Sequence, residues 1–181
     1  MFAFILGTGE TRAQTVNRPI PDGIYYLVRH AEKDTGKNPA LTVAGYLRSG
    51  DLYRALKSKR IHKIYVSQYR RSQLTADSLR IYQKVDTVHY IADTTGNDLI
   101  SKIISQKKNQ RNVLIIGHSN TIPVIIKKFG ITDFVPNELP DHEHDNLYVI
   151  TKKRNKISLM KLKYGKVSIA KGLPATMKPL Q

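Results

Sequence analysis

Residues Asn112–Gly117 read Asn-Val-Leu-Ile-Ile-Gly, an unbroken apolar run bounded by polar residues. A strand this apolar has to be buried on both faces, which is the situation of an inner strand in a parallel sheet covered by helices. Ile24-Tyr-Tyr-Leu-Val28, after Pro21-Asp-Gly23, has the same β-branched and aromatic character. Shorter strands are expected at Lys63–Val66 and Thr87–Ile91.

Helical segments separate these strands. Thr42 to about Ser58 reads as a helix that Thr42 caps, with Val43, Leu47, Leu52, Ala55 and Leu56 as its apolar face. Ser72–Gln83 is a second, anchored by Leu74, Leu79 and Tyr82. Leu99, Ile100, Ile103 and Ile104 form a helical stripe. Pro123 fits the first turn of a fourth helix. Leu147–Thr151 and Lys156–Leu162 are late strands, joined by a turn at Lys152–Asn155. The order βαβαβαβα, then ββ, predicts an α/β three-layer sandwich on a mostly parallel sheet. Ligands of such sheets bind at the carboxyl ends of the strands.

Composition narrows the class. With 181 residues the chain is long enough for one domain with a full core. It holds 30 Lys plus Arg against 14 Asp plus Glu, a net charge of +16, which suggests an anionic partner and fits a solvated basic surface with no specific target equally well. It has no cysteine, which excludes disulfides, thiol nucleophiles and cysteine-based zinc sites. No stretch reaches the roughly 20 apolar residues of a membrane span.

The expected domain covers residues 21–165. Residues 1–20 are expected to be either a flexible N-terminus or the remnant of a signal peptide, with Ala13-Gln14-Thr15 resembling a cleavage site. The first alternative fits a cytoplasmic protein and the second a periplasmic or secreted one. Residues 166–181 are expected to form a tail.

Three loops at strand ends carry chemistry. Arg29-His30 ends the first strand, and Gly117-His118-Ser119-Asn120 ends the Asn112 strand. A single histidine there is more often structural than catalytic, but two at equivalent positions, one preceded by arginine, make a stronger signal. Ser67-Gln-Tyr-Arg70-Arg71 follows the second strand. A helix start already favours anions, so cations placed there point to a bound oxyanion, and phosphate fits best.

These residues resemble the histidine phosphatase superfamily, the phosphoglycerate mutase-like proteins. Leu27-Val-Arg-His30 is similar to the family's first motif, with Ala31 in place of glycine. Leu41-Thr42-x-x-Gly45 is similar to a helix start of the family. Ser67, Arg71, Thr75 and Ala76 match its Ser-Pro-Leu-x-Arg-Ala-x-Gln-Thr-Ala segment, and Gly117-His118-Ser119 its second histidine motif. The resemblance covers roughly residues 24–150 and is strongest to the small, often exported bacterial branch with Arg-His-Ala-Glu-Lys.

The resemblance implies a phosphatase acting through a phosphohistidine on His30. Arg29, Arg71 and His118 would bind the phosphoryl group, and no metal or other cofactor is implied. A general acid is also implied, some two dozen residues beyond Arg71. Asp93, which directly follows a strand, is preferred to Asp98 there, with Glu143 and His144 as alternatives from the Asp141–Asp145 cluster. That cluster otherwise reads as a polar loop or a metal site. The family's asparagine six residues after the nucleophile is replaced by Gly36, with Asn38 out of register, and Gln68 replaces its proline. His62 and His89 are expected to be structural.

The expected partner is a small phosphorylated substrate or a phosphoprotein, with no specific nucleic acid. A phosphohistidine protein phosphatase and a phosphate- or polyanion-binding protein without catalysis are the alternatives. The sequence leaves the oligomeric state open.

Overall fold

The computed structural model describes residues 19–106 and 111–168. The segments expected to form the N-terminus and the tail therefore lie outside the described residues, apart from 19–20 and 166–168. Ten elements follow in chain order: β1 (Gly23–Arg29), α1 (Val43–Leu56), β2 (Lys63–Ser67), α2 (Arg70–Gln83), β3 (Thr87–Tyr90), α3 (Asn97–Ser105), β4 (Asn112–Gly117), α4 (Thr121–Lys128), β5 (Asn146–Lys153) and β6 (Lys156–Lys163). They build one six-stranded sheet in the order β3-β2-β4-β1-β5-β6. The inner pairs β1–β4, β2–β4 and β2–β3 are parallel. The β5–β6 hairpin adds an antiparallel edge beside β1.

Strand alternation divides the core between the two faces of the sheet. Tyr25, Leu27, Tyr65, Val113 and Ile115 point to one face, where Leu99 and Ile103 of α3 and Ile122, Ile125 and Ile126 of α4 cover them. Tyr26, Val28, Ile64, Val66, Leu114 and Ile116 point to the other, against Leu52 and Leu56 of α1 and Ala76 and Leu79 of α2. The expected α/β three-layer sandwich is what forms.

Two helices bury faces other than those expected. In α1, Val43 and Leu47 are exposed, and the buried stripe is Gly45, Arg48, Ser49, Leu52 and Leu56. The cause is a close approach: a Cβ on Gly45 would lie 2.1 Å from the Glu32 carbonyl oxygen, so only glycine lets α1 lie against the loop after β1. Thr42 caps α1 as expected, its Oγ1 accepting from the Gly45 N–H at 3.1 Å. In α2 the buried residues are Ser72, Thr75, Ala76 and Leu79, whereas Tyr82 is exposed and packs on Tyr53 at a centroid distance of 4.8 Å.

The register sets the site. Val28 of β1 and Val66 of β2 both pair with Ile116 of β4, and Arg29 pairs with Gly117. The three inner strands therefore end at one level, and their next residues emerge side by side.

Candidate active site

A cavity of about 280 Å³ opens at this shared carboxyl edge, lined among others by Arg29, His30, Tyr69, Arg71 and His118. The four residues expected to handle a phosphoryl group are thus brought together from β1, α2 and β4. Gly117 is required where β4 turns into α4, because a Cβ there would meet Ile122 Cγ1 at 2.9 Å.

His30 leaves β1 with its main-chain N–H bonded to the Gly117 carbonyl at 2.9 Å. Its Nδ1 lies 2.8 Å from the Ala31 carbonyl, which can only accept, so Nδ1 carries the proton and Nε2 keeps its lone pair. Burial, reinforced by His118, Arg29 and Arg71 and only partly opposed by the Ala31 hydrogen bond, pushes the His30 pKa down to about 2. The ring is therefore neutral at physiological pH.

The His118 ring lies 5.2 Å from the His30 ring, centroid to centroid. Arg71 Nη2, a donor only, is 3.3 Å from His118 Nδ1, which leaves the proton on Nε2, facing Ser67 Oγ at 2.8 Å. Burial, then the Arg71 and Arg29 charges, push the His118 pKa down to about 3. Both ring nitrogens of His118 are occupied within the protein.

The arginines are held but incompletely bonded. The Arg71 guanidinium lies over the Tyr69 ring at 4.2 Å, and burial lowers its pKa. Arg29 donates to the Pro140 carbonyl at 2.8 Å and to Asp141 Oδ1 at 3.1 Å. The Nε–H groups of both arginines are buried with no hydrogen-bond partner among the described residues. Buried donors on two cations lining one cavity call for an oxygen-rich anion.

Behind His30, Thr75, His144 and the Glu32–Arg48 pair are hydrogen-bonded. The Ala31 N–H donates to Thr75 Oγ1 at 2.8 Å, and Thr75 Oγ1 donates to the Arg71 carbonyl at 2.7 Å, which ties the histidine loop to α2. His144 Nδ1 donates to the His30 carbonyl at 2.8 Å. Arg48 bonds both oxygens of Glu32 at 2.6 to 2.9 Å. It also reaches the Lys166 carbonyl at 3.0 Å, drawing the start of the expected tail onto the domain.

The expected proton donors are not brought into the cavity. Asp93 lies in the turn between β3 and α3, where Oδ1 accepts from Thr95 N, Thr95 Oγ1 and Gly96 N. These bonds, the Thr95 hydroxyl first, hold its pKa below the usual carboxylate range, against the needs of a donor. Asp98 accepts from Lys102 and from the Ile91 N–H. Glu143 accepts from Asn146, and His144 is buried against His30. Among the described residues, no group of three or more His, Cys, Asp or Glu side chains gathers as a metal site would require.

Asn38, out of register with the family's asparagine, accepts from the Arg70 N–H at 3.0 Å and caps α2 from a distance. Gln68, in the proline's place, accepts from Ala92 N at 2.9 Å. His62 Nδ1 accepts from Asn112 N at 3.4 Å, and His89 is exposed. Lys33, Tyr69 and Glu138 line the cavity and were not foreseen. Tyr69 could have been suspected from its place between two strand-end arginines and Gln68, whereas Lys33 and Glu138 sit in loops with no local signal.

The histidine phosphatase superfamily model (branch 1) matches residues 25–92, the segment carrying Arg29, His30 and Arg71, and this is the family the chain resembles. The fold is also that of solved phosphoglycerate mutase-like proteins. An Agrobacterium tumefaciens protein assigned as the phosphohistidine phosphatase SixA aligns with a TM-score of 0.55 and 21% identity, over 78% of this chain and 97% of that one. An Escherichia coli K-12 protein assigned as an alpha-ribazole-5'-P phosphatase aligns with a TM-score of 0.60 and 13% identity, over 78% and 96%. The mycobacterial glucosyl-3-phosphoglycerate phosphatase gives 0.57 and 11%, over 78% and 98%. At these identities the likeness is one of fold. No curated protein matches the chain by sequence.

Proposed function

We propose that the protein is a metal-independent phosphatase that hydrolyses phosphomonoesters through a phosphohistidine on His30. The observation that carries this reading is a neutral, buried imidazole with its lone pair on Nε2, set among two arginines whose Nε–H groups are buried and unpaired.

The reaction has two displacements. His30 Nε2 attacks phosphorus in line, the P–O bond to the leaving group breaks, and the leaving oxygen takes a proton. Arg29 and Arg71 neutralise the charge spread over the equatorial oxygens, with planar forks that stay charged throughout. Water then attacks phosphorus and gives up a proton, the P–N bond breaks, and phosphate leaves with His30 neutral again. A bound anion draws Arg71 from His118 Nδ1, and a proton taken up there makes His118 a further donor to the phosphoryl oxygens.

Phosphohistidine on a protein is a second substrate reading, supported by one observation: none of the carboxylates expected as proton donors faces the cavity. Its leaving group needs little protonation. The domain limits proposed for this activity are residues 21–165, with residues 166–168 bonded back onto it.

The test is hydrolysis of p-nitrophenyl phosphate with chelator present, together with trapping of an acid-labile phosphoenzyme. His30→Ala should lower turnover by roughly 10³-fold or more and abolish trapping. Undiminished turnover in that variant would sink the reading.

A further inference from the structure

Resting on the phosphatase reading, we infer that Glu138, in the loop between α4 and β5, is the catalytic residue that protonates the leaving group and then deprotonates the attacking water. Two carboxylates line the cavity, Glu138 and Asp141. Asp141 is bonded to Arg29 Nη2 at 3.1 Å, the cation that also faces the phosphoryl group, so its carboxylate is already engaged. Glu138 has no cationic partner among the described residues. Its one bond there is from the Ser119 hydroxyl, which donates to Oε1 at 2.8 Å. Ser119 directly follows His118, so this contact fixes the carboxyl beside the second histidine.

The loop is anchored for that task. The Leu139 N–H donates to the Ser119 carbonyl at 3.0 Å, and the Leu139 side chain is buried in the core under α4. The Pro140 carbonyl is held by Arg29. Glu138 is therefore presented to the cavity from a segment anchored at the two residues that follow it, while its Oε2 takes no hydrogen bond among the described residues. Asp93, Asp98 and Glu143 do not line the cavity.

The step balances without a further reactant. Glu138 begins as the carboxylic acid and gives its proton to the leaving oxygen as the P–O bond breaks. As carboxylate, it takes a proton from the water that displaces His30 from phosphorus, and so is restored.

The experiment compares the wild type with Glu138→Gln on p-nitrophenyl phosphate, phenyl phosphate and glycerol 2-phosphate. The side chain is exposed and the replacement nearly isosteric, so folding is not at issue. The variant should lose about 10²- to 10⁴-fold on the phenyl and glycerol esters and much less on p-nitrophenyl phosphate, whose leaving group needs little protonation. Equal losses on all three esters, no loss on any, or a wild type that turns over only p-nitrophenyl phosphate would each overturn the assignment. His30→Ala on p-nitrophenyl phosphate separates the two ideas, since retained activity there removes the phosphatase reading whatever Glu138 does.

Discussion

The two sides of the His30 ring are built on opposite terms. Behind it, Thr75, His144 and the Glu32–Arg48 pair satisfy one another and the main chain. In front, Arg29 and Arg71 crowd positive charge against two neutral imidazoles and leave buried donors unpaired. The back holds the His30 ring still at a gain in stability. The front holds a destabilised arrangement that a phosphoryl anion would relieve. Sites that must stabilise a charge absent from the resting state carry this kind of strain, and well-packed surroundings sustain it.

That contrast can be broken most severely from behind. Arg48→Met should cost about 3–5 kcal/mol, because it strands the half-buried Glu32 carboxylate. Urea unfolding measures it. A loss below about 1 kcal/mol would mean that the back is no scaffold. From the front, Arg71→Met should leave stability unchanged or raise it, since it removes a cation with an unpaired donor. The same variant should lower kcat/KM by about 10²- to 10³-fold. If it destabilised the fold as Arg48→Met does, the two sides would not differ in kind.

The contrast also shows in the pH dependence of stability. Histidines free in the unfolded chain take up protons near pH 6.5, whereas His30 and His118 stay neutral in the fold down to about 2 and 3. The unfolded state then binds more protons below pH 6.5, so stability falls as pH falls. Each group contributes about 1.4 kcal/mol per pH unit across that window. Urea midpoints between pH 6.5 and 4 should show this decline, and His30→Asn should make it shallower by one proton. An unchanged slope would mean that the front is not built on a neutral imidazole.

Legibility followed the range of the interaction. His30, Arg71 and His118 were readable because each directly follows, or lies close behind, a recognisable strand, and parallel strands bring their carboxyl ends to one edge. Hydrophobicity alone does not give the buried face of α1, because the approach of the Glu32 carbonyl selects Gly45 and turns Leu47 outward. Asp93 directly follows a strand, yet two residues further on Thr95 claims its carboxylate. His144 looked like one member of a polar run, and its bond to His30 spans 114 positions of sequence.

The sequence by itself determined the strands, the parallel sheet and the three loops that meet, since apolar runs and their periodicity encode burial locally. Only the tertiary structure decided which imidazole nitrogen is free, which arginine donors are unmatched and which carboxylate reaches the cavity. Those depend on partners contributed by distant loops, and on desolvation that exists only once the chain has closed around them.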